Sequence, residues 1–426
     1  MTTNTLEHHW MPFTANRDFK ADPRILVAAK GMHYTNHHGE RVIDASSGLF
    51  CCAAGHGRKE IADAVAAQLM ELDYSPPFQY GSAPAFELAR RVAALTPGTL
   101  NRVFFTNSGS ESIDTALKIA MAWHTARGEG HRDKYISRER AYHGVNIGGT
   151  SLSGLMKNRE VFGAVMPGVA HLRHTWLDEN RFSRGQPPHG ADLAEDLQRF
   201  VDMYGGRNIA ACFVEPVAGS TGCLVPPVGY LERLREICDA HGILLIFDEV
   251  ITGFGRLGHP FAADAFGVMP DIMTLAKALT NGVMPMGAVA VSETIYDTIN
   301  EAAPDGAMEF FHGYTYSGNP ASSAAGIAAL DIYENENLFG RAADLSKPFL
   351  DMLFGLKDLD CISDIRGYGL LGAIDLAPGS GAEMLKKLYA AGLYVKFTGD
   401  TALLAPAFIA GQDDIDEIGG ILRDVL

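Results

Sequence analysis

What most limits the folds open to this chain is an alternation that begins near residue 56, where helical periodicity gives way to short apolar runs and then returns. Ile61, Val65, Leu69 and Leu72 fall on one helical face, Val103 to Phe105 form a short strand-like run, and Ile113, Leu117, Ala120 and Trp123 resume helical spacing. Farther on, Ile209 to Val214, Ile243 to Phe247 and Ile272 to Ala276 read as buried strands, with Tyr230 to Ala240 a helix closed by His241-Gly242. Strands that are apolar throughout need cover on both faces, and strands separated by helices run parallel. The expected class is α/β: a mainly parallel central sheet with helices on both faces. The Ala-rich stretch from Ala321 to Tyr333 reads as a long helix, and the last third as a smaller α+β unit. The expected division is a large domain over 56–320, a small domain over 321–426, and an N-terminal segment, 1–55, that packs with the small domain.

In an open parallel sheet, ligands bind beyond the carboxyl ends of the strands. Phe247 is followed at once by Asp248-Glu249, and Ala276 by Lys277. An acid and an amine at the tops of two strands of one sheet face a common crevice. The loop Thr106-Asn107-Ser108-Gly109-Ser110-Glu111 opens a helix, and its small residues let backbone N–H groups approach an anion at the positive helix end. Tyr142, with His143-Gly144, comes soon after the strand-like Lys134 to Ser137. Singly, each has an ordinary reading: a turn aspartate, a surface lysine, a Ser108/Glu111 capping box, a core tyrosine. Together they are the parts that hold pyridoxal phosphate. Its aldehyde needs an amine, its phosphate a helix N-terminus, and its ring nitrogen a carboxylate that keeps it protonated and electron-withdrawing.

A competing motif, Gly253-Phe254-Gly255-Arg256-Leu257-Gly258, matches GxGxxG, and Asp271 stands downstream at nearly the dinucleotide spacing. The first glycine of such a loop should end the strand and the loop should open a helix. Here Asp248 and Glu249 stand where a pyrophosphate would approach, and Gly258-His259-Pro260 interrupts any helix. A dehydrogenase is not the expected reading. Composition excludes other classes. With 51 acidic against 35 basic residues the net charge is −16, which opposes non-specific binding to nucleic acid or anionic lipid. Cys51, Cys52, Cys212, Cys223, Cys238 and Cys361 show neither a secreted disulfide framework nor CxxC metal spacing, so no metal is expected. The N-terminus lacks a basic head followed by an apolar run, and no apolar stretch approaches the ~20 residues of a bilayer span. A cytoplasmic globular enzyme is expected.

Several runs carry a family resemblance: Trp10 to Thr14, Phe104 to Glu111, Tyr142-His143-Gly144, Glu215-Pro216, Asp248 to Arg256, Ala276 to Gly282, and His312 to Pro320. The chain resembles class III pyridoxal-phosphate aminotransferases, and most closely the ω-amino acid (β-alanine):pyruvate type, over nearly its whole length. The resemblance implies fold type I and a homodimer, or a dimer of dimers, with active sites at the interface. It implies that Lys277 bonds the cofactor's aldehyde and moves the proton, that Asp248 partners the pyridinium, and that Val250 and Tyr142 pack on opposite ring faces. Ser108, Gly109 and Ser110 would bind the phosphate, with Thr315 of the neighbouring subunit; His143 and Glu215 complete the cofactor set. Phe13, Leu49, Phe50, Tyr142 and Lys396 would line the substrate pocket, Phe50 replacing a frequent tryptophan.

Two features separate subfamilies. Ornithine, acetylornithine and 4-aminobutyrate aminotransferases typically carry Gln after Asp-Glu-Val, where this chain has Ile251, as in the ω-amino acid enzymes. Relatives that use 2-oxoglutarate place an arginine before the C-terminal Ala-Pro, where this chain has Leu403 ahead of Leu404-Ala405-Pro406. A dicarboxylate buried beside leucine leaves a charge unpaired. The expected acceptor is a monocarboxylate such as pyruvate. The ω-amino acid enzymes usually carry an arginine earlier in this segment, where Tyr394-Val395-Lys396 supplies a lysine, which lacks the planar fork of arginine. The donor therefore stays open among β-alanine, longer ω-amino acids, taurine and simple amines. A decarboxylating transaminase or an aminomutase also remains an alternative.

Overall fold

A computed structural model describes residues 6–163 and 166–426; residues 1–5, which open the expected N-terminal segment, lie outside them. Near the N-terminus β1 (Leu26–Lys30), β2 (His33–Asn36) and β3 (Arg41–Asp44) form an antiparallel meander. The chain turns through Ser47–Cys52 into helices Lys59–Glu71 and Ala83–Leu95 and then enters the main sheet. That sheet contains β4 (Arg102–Thr106), β5 (Lys134–Arg138), β6 (Val169–Leu172), β7 (Ile209–Val214), β8 (Leu244–Asp248), β9 (Ile272–Leu275) and β10 (Gly287–Val291). Their order is β4-β10-β9-β8-β7-β5-β6. All run parallel except β10, which is antiparallel to both neighbours.

The sheet is buried on both faces, as continuous apolar strands require. Alternate residues split between two packed layers. Cys212, Val214, Leu245, Phe247 and Met273 join Leu234, Ile237 and Cys238 of helix Tyr230–His241 on one face. Phe213, Leu244, Ile246, Ile272 and Val289 meet Ile113, Leu117, Ala120 and Trp123 of helix Gly109–Ala126 on the other. Each fully buried Ile, Leu or Phe contributes roughly 1.5–3 kcal/mol of transfer free energy. Helix Tyr230–His241 ends at Gly242, whose φ of +62° is the left-handed conformation that suits glycine at that position.

After β10, helix Pro320–Asn335 packs against Lys59–Glu71 and Ala83–Leu95, and helix Leu338–Phe354 comes next. The chain then forms β11 (Ile362–Tyr368), β12 (Leu371–Leu376), helix Gly381–Ala390, β13 (Leu393–Tyr394), β14 (Lys396–Thr398), β15 (Thr401–Leu404) and helix Gln412–Val425. A third, antiparallel sheet has the order β11-β12-β15-β14. β13 leaves it to pair in parallel with β3, joining the two ends of the chain. The GxGxxG-like run forms turns rather than a phosphate loop opening a helix. Glu249 organises this region by accepting from Thr252 Oγ1 and from the amides of Ala262 and Ala263 at 2.7–2.8 Å.

Candidate active site

Because β4, β5, β7, β8 and β9 all run parallel, their carboxyl ends lie along one edge, and the residues just beyond each strand are delivered there. Asp248 ends β8, Glu215 comes directly after β7, Lys277 stands two residues beyond β9, and the 108–110 loop lies just past β4. Tyr142 and His143 come shortly after β5.

Asp248 is buried, with one carboxylate oxygen 2.8 Å from His143 Nδ1. The other accepts from the Val250 amide at 3.1 Å and from Thr274 Oγ1 at 3.3 Å. Thr274 is its cross-strand register partner, a polar residue in an otherwise apolar strand. Glu215 accepts from the Tyr142 amide at 3.0 Å and from the Gly219 amide at 3.2 Å. Burial pushes the Glu215 carboxyl up to about 7, Asp248 adding to the rise and His143 opposing it. His143 is fully enclosed and among the described residues its Nε2 has no hydrogen-bond partner.

Lys277 is half-buried and lies in the left-handed region at φ +51°. Burial lowers the pKa of its amine, while Cys51, Asp248 and Glu215 favour the charged form. Its Nζ stands 6.0 Å from the centroid of the Phe50 ring. Among the described residues no carboxylate forms an ion pair with it.

Ser108 caps helix Gly109–Ala126, its Oγ accepting from the Glu111 amide at 3.2 Å. The Glu111 carboxylate reaches back to the Asn107 amide at 2.7 Å, one residue earlier than a capping box would place it. Ser110 Oγ accepts from the Val145 amide, tying this loop to Tyr142-His143-Gly144. A Cβ on Gly109 would meet Val250 at 3.0 Å, so the absence of a side chain permits the close approach of the two loops. Phe13, 76% exposed, makes an edge contact with Tyr142 at 6.5 Å between ring centres. Thr315 is exposed on the loop 312–319, its carbonyl accepting from Tyr74 Oη at 3.1 Å.

The remaining pocket candidates come from the joint between the two chain ends. Phe50 is buried and Leu49 is half exposed. Lys396 is half-buried on β14; its amide donates to Ser46 Oγ and its Nζ to the Phe397 carbonyl at 2.8 Å. Burial alone lowers the Lys396 pKa. Leu403, fully buried, is its direct cross-strand partner on β15. Sequence reasoning did not single out Thr274, the Asp44–His56 pair beneath Ser46–Gly48, or Arg256. Arg256 is 1% exposed and donates to the carbonyls of Leu370 and Pro406.

The chain is 51% identical to an omega-aminotransferase of Caulobacter vibrioides, covering 99% of this chain and 98% of that protein. It is 52% identical to a beta-alanine–pyruvate aminotransferase of Pseudomonas aeruginosa, covering 99% and 96%. The omega transaminase from Pseudomonas jessenii, solved in complex with PMP, superposes with a TM-score of 0.94 at 30% identity over 99% of this chain and 97% of that one. The family model for class III aminotransferases matches residues 15–426. With the match running from before β1 to the last residue, and the acid and lysine meeting at one sheet edge, this chain belongs to the class III aminotransferases.

Proposed function

We propose that this enzyme transfers an amino group from an ω-amino acid of the β-alanine kind to pyruvate, releasing alanine and an oxo acid or aldehyde. The observation that carries the reading is the pairing of Lys396 with Leu403 across β14 and β15. Directly opposed residues of an antiparallel pair share a face with their Cβ atoms about 5 Å apart. One single-point cation therefore stands beside a buried leucine, which suits one carboxylate and leaves a second unpaired. The Caulobacter and Pseudomonas aeruginosa relatives, named for omega- and beta-alanine–pyruvate transamination, support the same substrate class.

Class III aminotransferases use pyridoxal phosphate, and the residues at the sheet edge fit it. Lys277 offers an amine with a lowered pKa, Asp248 a buried carboxylate, and Ser108, Gly109 and Ser110 a helix N-terminus with small side chains. When bound, the cofactor supplies a carbonyl carbon for the incoming amine and a protonated ring that accepts the electron pair left by proton removal.

The chain's own groups supply the rest. Lys277 Nζ would take the proton from the amine-bearing carbon of the donor and hand it on to the cofactor's carbonyl-derived carbon; burial that disfavours its charged form favours the neutral amine this role needs. Asp248, oriented by His143 and by Thr274 and Val250, would keep the proton on the cofactor's ring nitrogen. Val250, against Gly109, and Tyr142 would hold the cofactor's ring, and Glu215 fixes the Tyr142 amide. Lys396 orients a substrate carboxylate, and Phe13, Leu49 and Phe50 form the pocket's apolar wall.

A homodimer completes the picture. Trp10, Phe13, Phe86 and Phe311 are each 72–91% exposed, apolar side chains that a second copy would cover, with Thr315 offered to the partner's phosphate loop. All six cysteines are free, and no helix among the described residues is long and apolar enough to cross a membrane, which supports a cytoplasmic enzyme. The test is a donor panel of β-alanine, longer ω-amino acids, taurine and a simple amine, each with pyruvate and with 2-oxoglutarate. Alanine from β-alanine and pyruvate is the expected main product; preferential formation of glutamate overturns the reading from Leu403.

A further inference from the structure

The wall that faces Lys277 is built on an unusual stretch of backbone. Ser47, Gly48 and Phe50 have φ of +46°, +68° and +66°, and for the two residues with side chains this is the left-handed region. Such conformations persist only where the surroundings over-determine them. Here the determinant is Asp44, 1% exposed at the end of β3. One of its oxygens accepts from the Ser46 amide at 2.9 Å; the other accepts from the Gly48 amide at 2.6 Å and lies 2.8 Å from His56 Nε2. Tyr34 packs on the His56 ring at 4.4 Å, which fixes its orientation. Ser46 and Ser47 donate their hydroxyls to the carbonyls of Leu403 and Ala405, tying the turn to β15. Asp44 alone among these groups is a charged acceptor for two amides inside the turn, and charge-assisted bonds are the stronger ones.

We infer that Asp44, oriented by His56, is a positioning residue of the substrate wall: it fixes the turn that aims the Phe50 ring at the Lys277 amine, and so sets which donors are accepted. The inference rests on the amine-donor reading of the pocket. Neither residue is required to touch substrate. A carboxylate twelve residues from its histidine partner thus controls selectivity from beneath the pocket.

Cys51 and Cys52 come directly after Phe50 and report on the turn without any turnover, since both their amides donate to the Ser47 carbonyl. The experiment labels the cofactor-loaded enzyme with a maleimide and maps the modified peptides, taking Cys361, near the C-terminus, as internal reference. The same variants are assayed with β-alanine and with 1-phenylethylamine against pyruvate. Asp44→Asn should speed labelling of Cys51 and Cys52 at least about tenfold relative to Cys361, and shift the ratio of kcat/KM for the two donors by a similar factor. His56→Leu should behave likewise, while His56→Gln, which keeps a donor toward Asp44, should restore wild-type values. If Asp44→Asn does not fold, the two His56 variants carry the same measurements. Unchanged labelling and an unchanged donor ratio overturn the proposal. Equal acceleration at all three thiols with both donors falling in step overturns it too, because that is loss of stability without loss of position. A wild-type enzyme that uses neither donor would sink the substrate reading, while the thiol comparison still decides the role of Asp44 in the turn.

Discussion

The carboxyl edge of the main sheet and the wall opposite Lys277 are assembled by different means. At the edge, each group is delivered by the end of its own strand, and neighbouring strands set the spacing; Asp248 and Thr274 are register partners. The wall is stapled across almost the whole chain: the Ser46–Leu403 and Ser47–Ala405 hydrogen bonds join residues 357 and 358 apart. The edge is therefore a product of local pattern, and the wall a product of long-range closure by the two-residue strand β13. The contrast separates two kinds of control. Edge residues should govern the rate for every substrate, and wall residues should govern which substrate is used.

The largest effect belongs to the edge. Lys277→Ala should lower turnover at least about a thousandfold with every donor and abolish the absorbance of covalently held cofactor. Residual turnover that differs strongly between donors would blur the proposed separation. Asp248→Asn keeps the shape of the side chain but removes its charge. It should lower kcat by about a hundredfold or more, again uniformly, because on the proposed reading the group would partner the cofactor ring and not the substrate. Stopped-flow measurement of the first half-reaction for several donors checks that uniformity.

Legibility in the sequence divides along the same line. The strands Ile209–Val214, Leu244–Asp248 and Ile272–Leu275 lie within a residue of where their apolar runs place them, because burial on both faces leaves an uninterrupted signature. With the strands fixed, Asp248 and Lys277 stand at their tips, and Ser108 caps its helix as the small-residue loop suggests. Asp44 and His56 carried no such signal, since their meeting depends on the turn after β3 and on no periodicity. Arg256 lay inside a glycine-rich run that resembles a nucleotide loop, and only the fold shows it buried against Phe408 at 4.8 Å. Thr274 was readable in principle, as the polar residue one strand over from Asp248.

A smaller effect tests the wall. Lys396→Ala should raise KM for pyruvate and for ω-amino acids about tenfold, the equivalent of roughly 1.4 kcal/mol, and leave kcat and the KM of a simple amine nearly unchanged. Lys396→Arg should keep or tighten carboxylate binding through a two-point fork. If Lys396→Ala instead lowers kcat for every donor, the wall is part of the catalytic edge and the distinction fails.

The smallest effect concerns whether the edge behaves as one electrostatic unit. Glu215 has its carboxyl pushed up to about 7 from an ordinary 4.5, chiefly by burial and further by Asp248. The folded state then holds a proton that the unfolded chain releases between those values. By linkage, the stabilisation from Glu215 is fully present below about pH 4.5 and is lost as pH rises through about 7. Glu215→Gln, permanently neutral, has no such dependence. Urea unfolding of the cofactor-free protein should therefore show the stability of wild type relative to Glu215→Gln falling as pH rises across that window. In an Asp248→Asn background the fall should shrink, because one of the charges that raises the Glu215 pKa is gone; an undiminished slope would mean that the two acids titrate independently and that Asp248 has no part in raising Glu215.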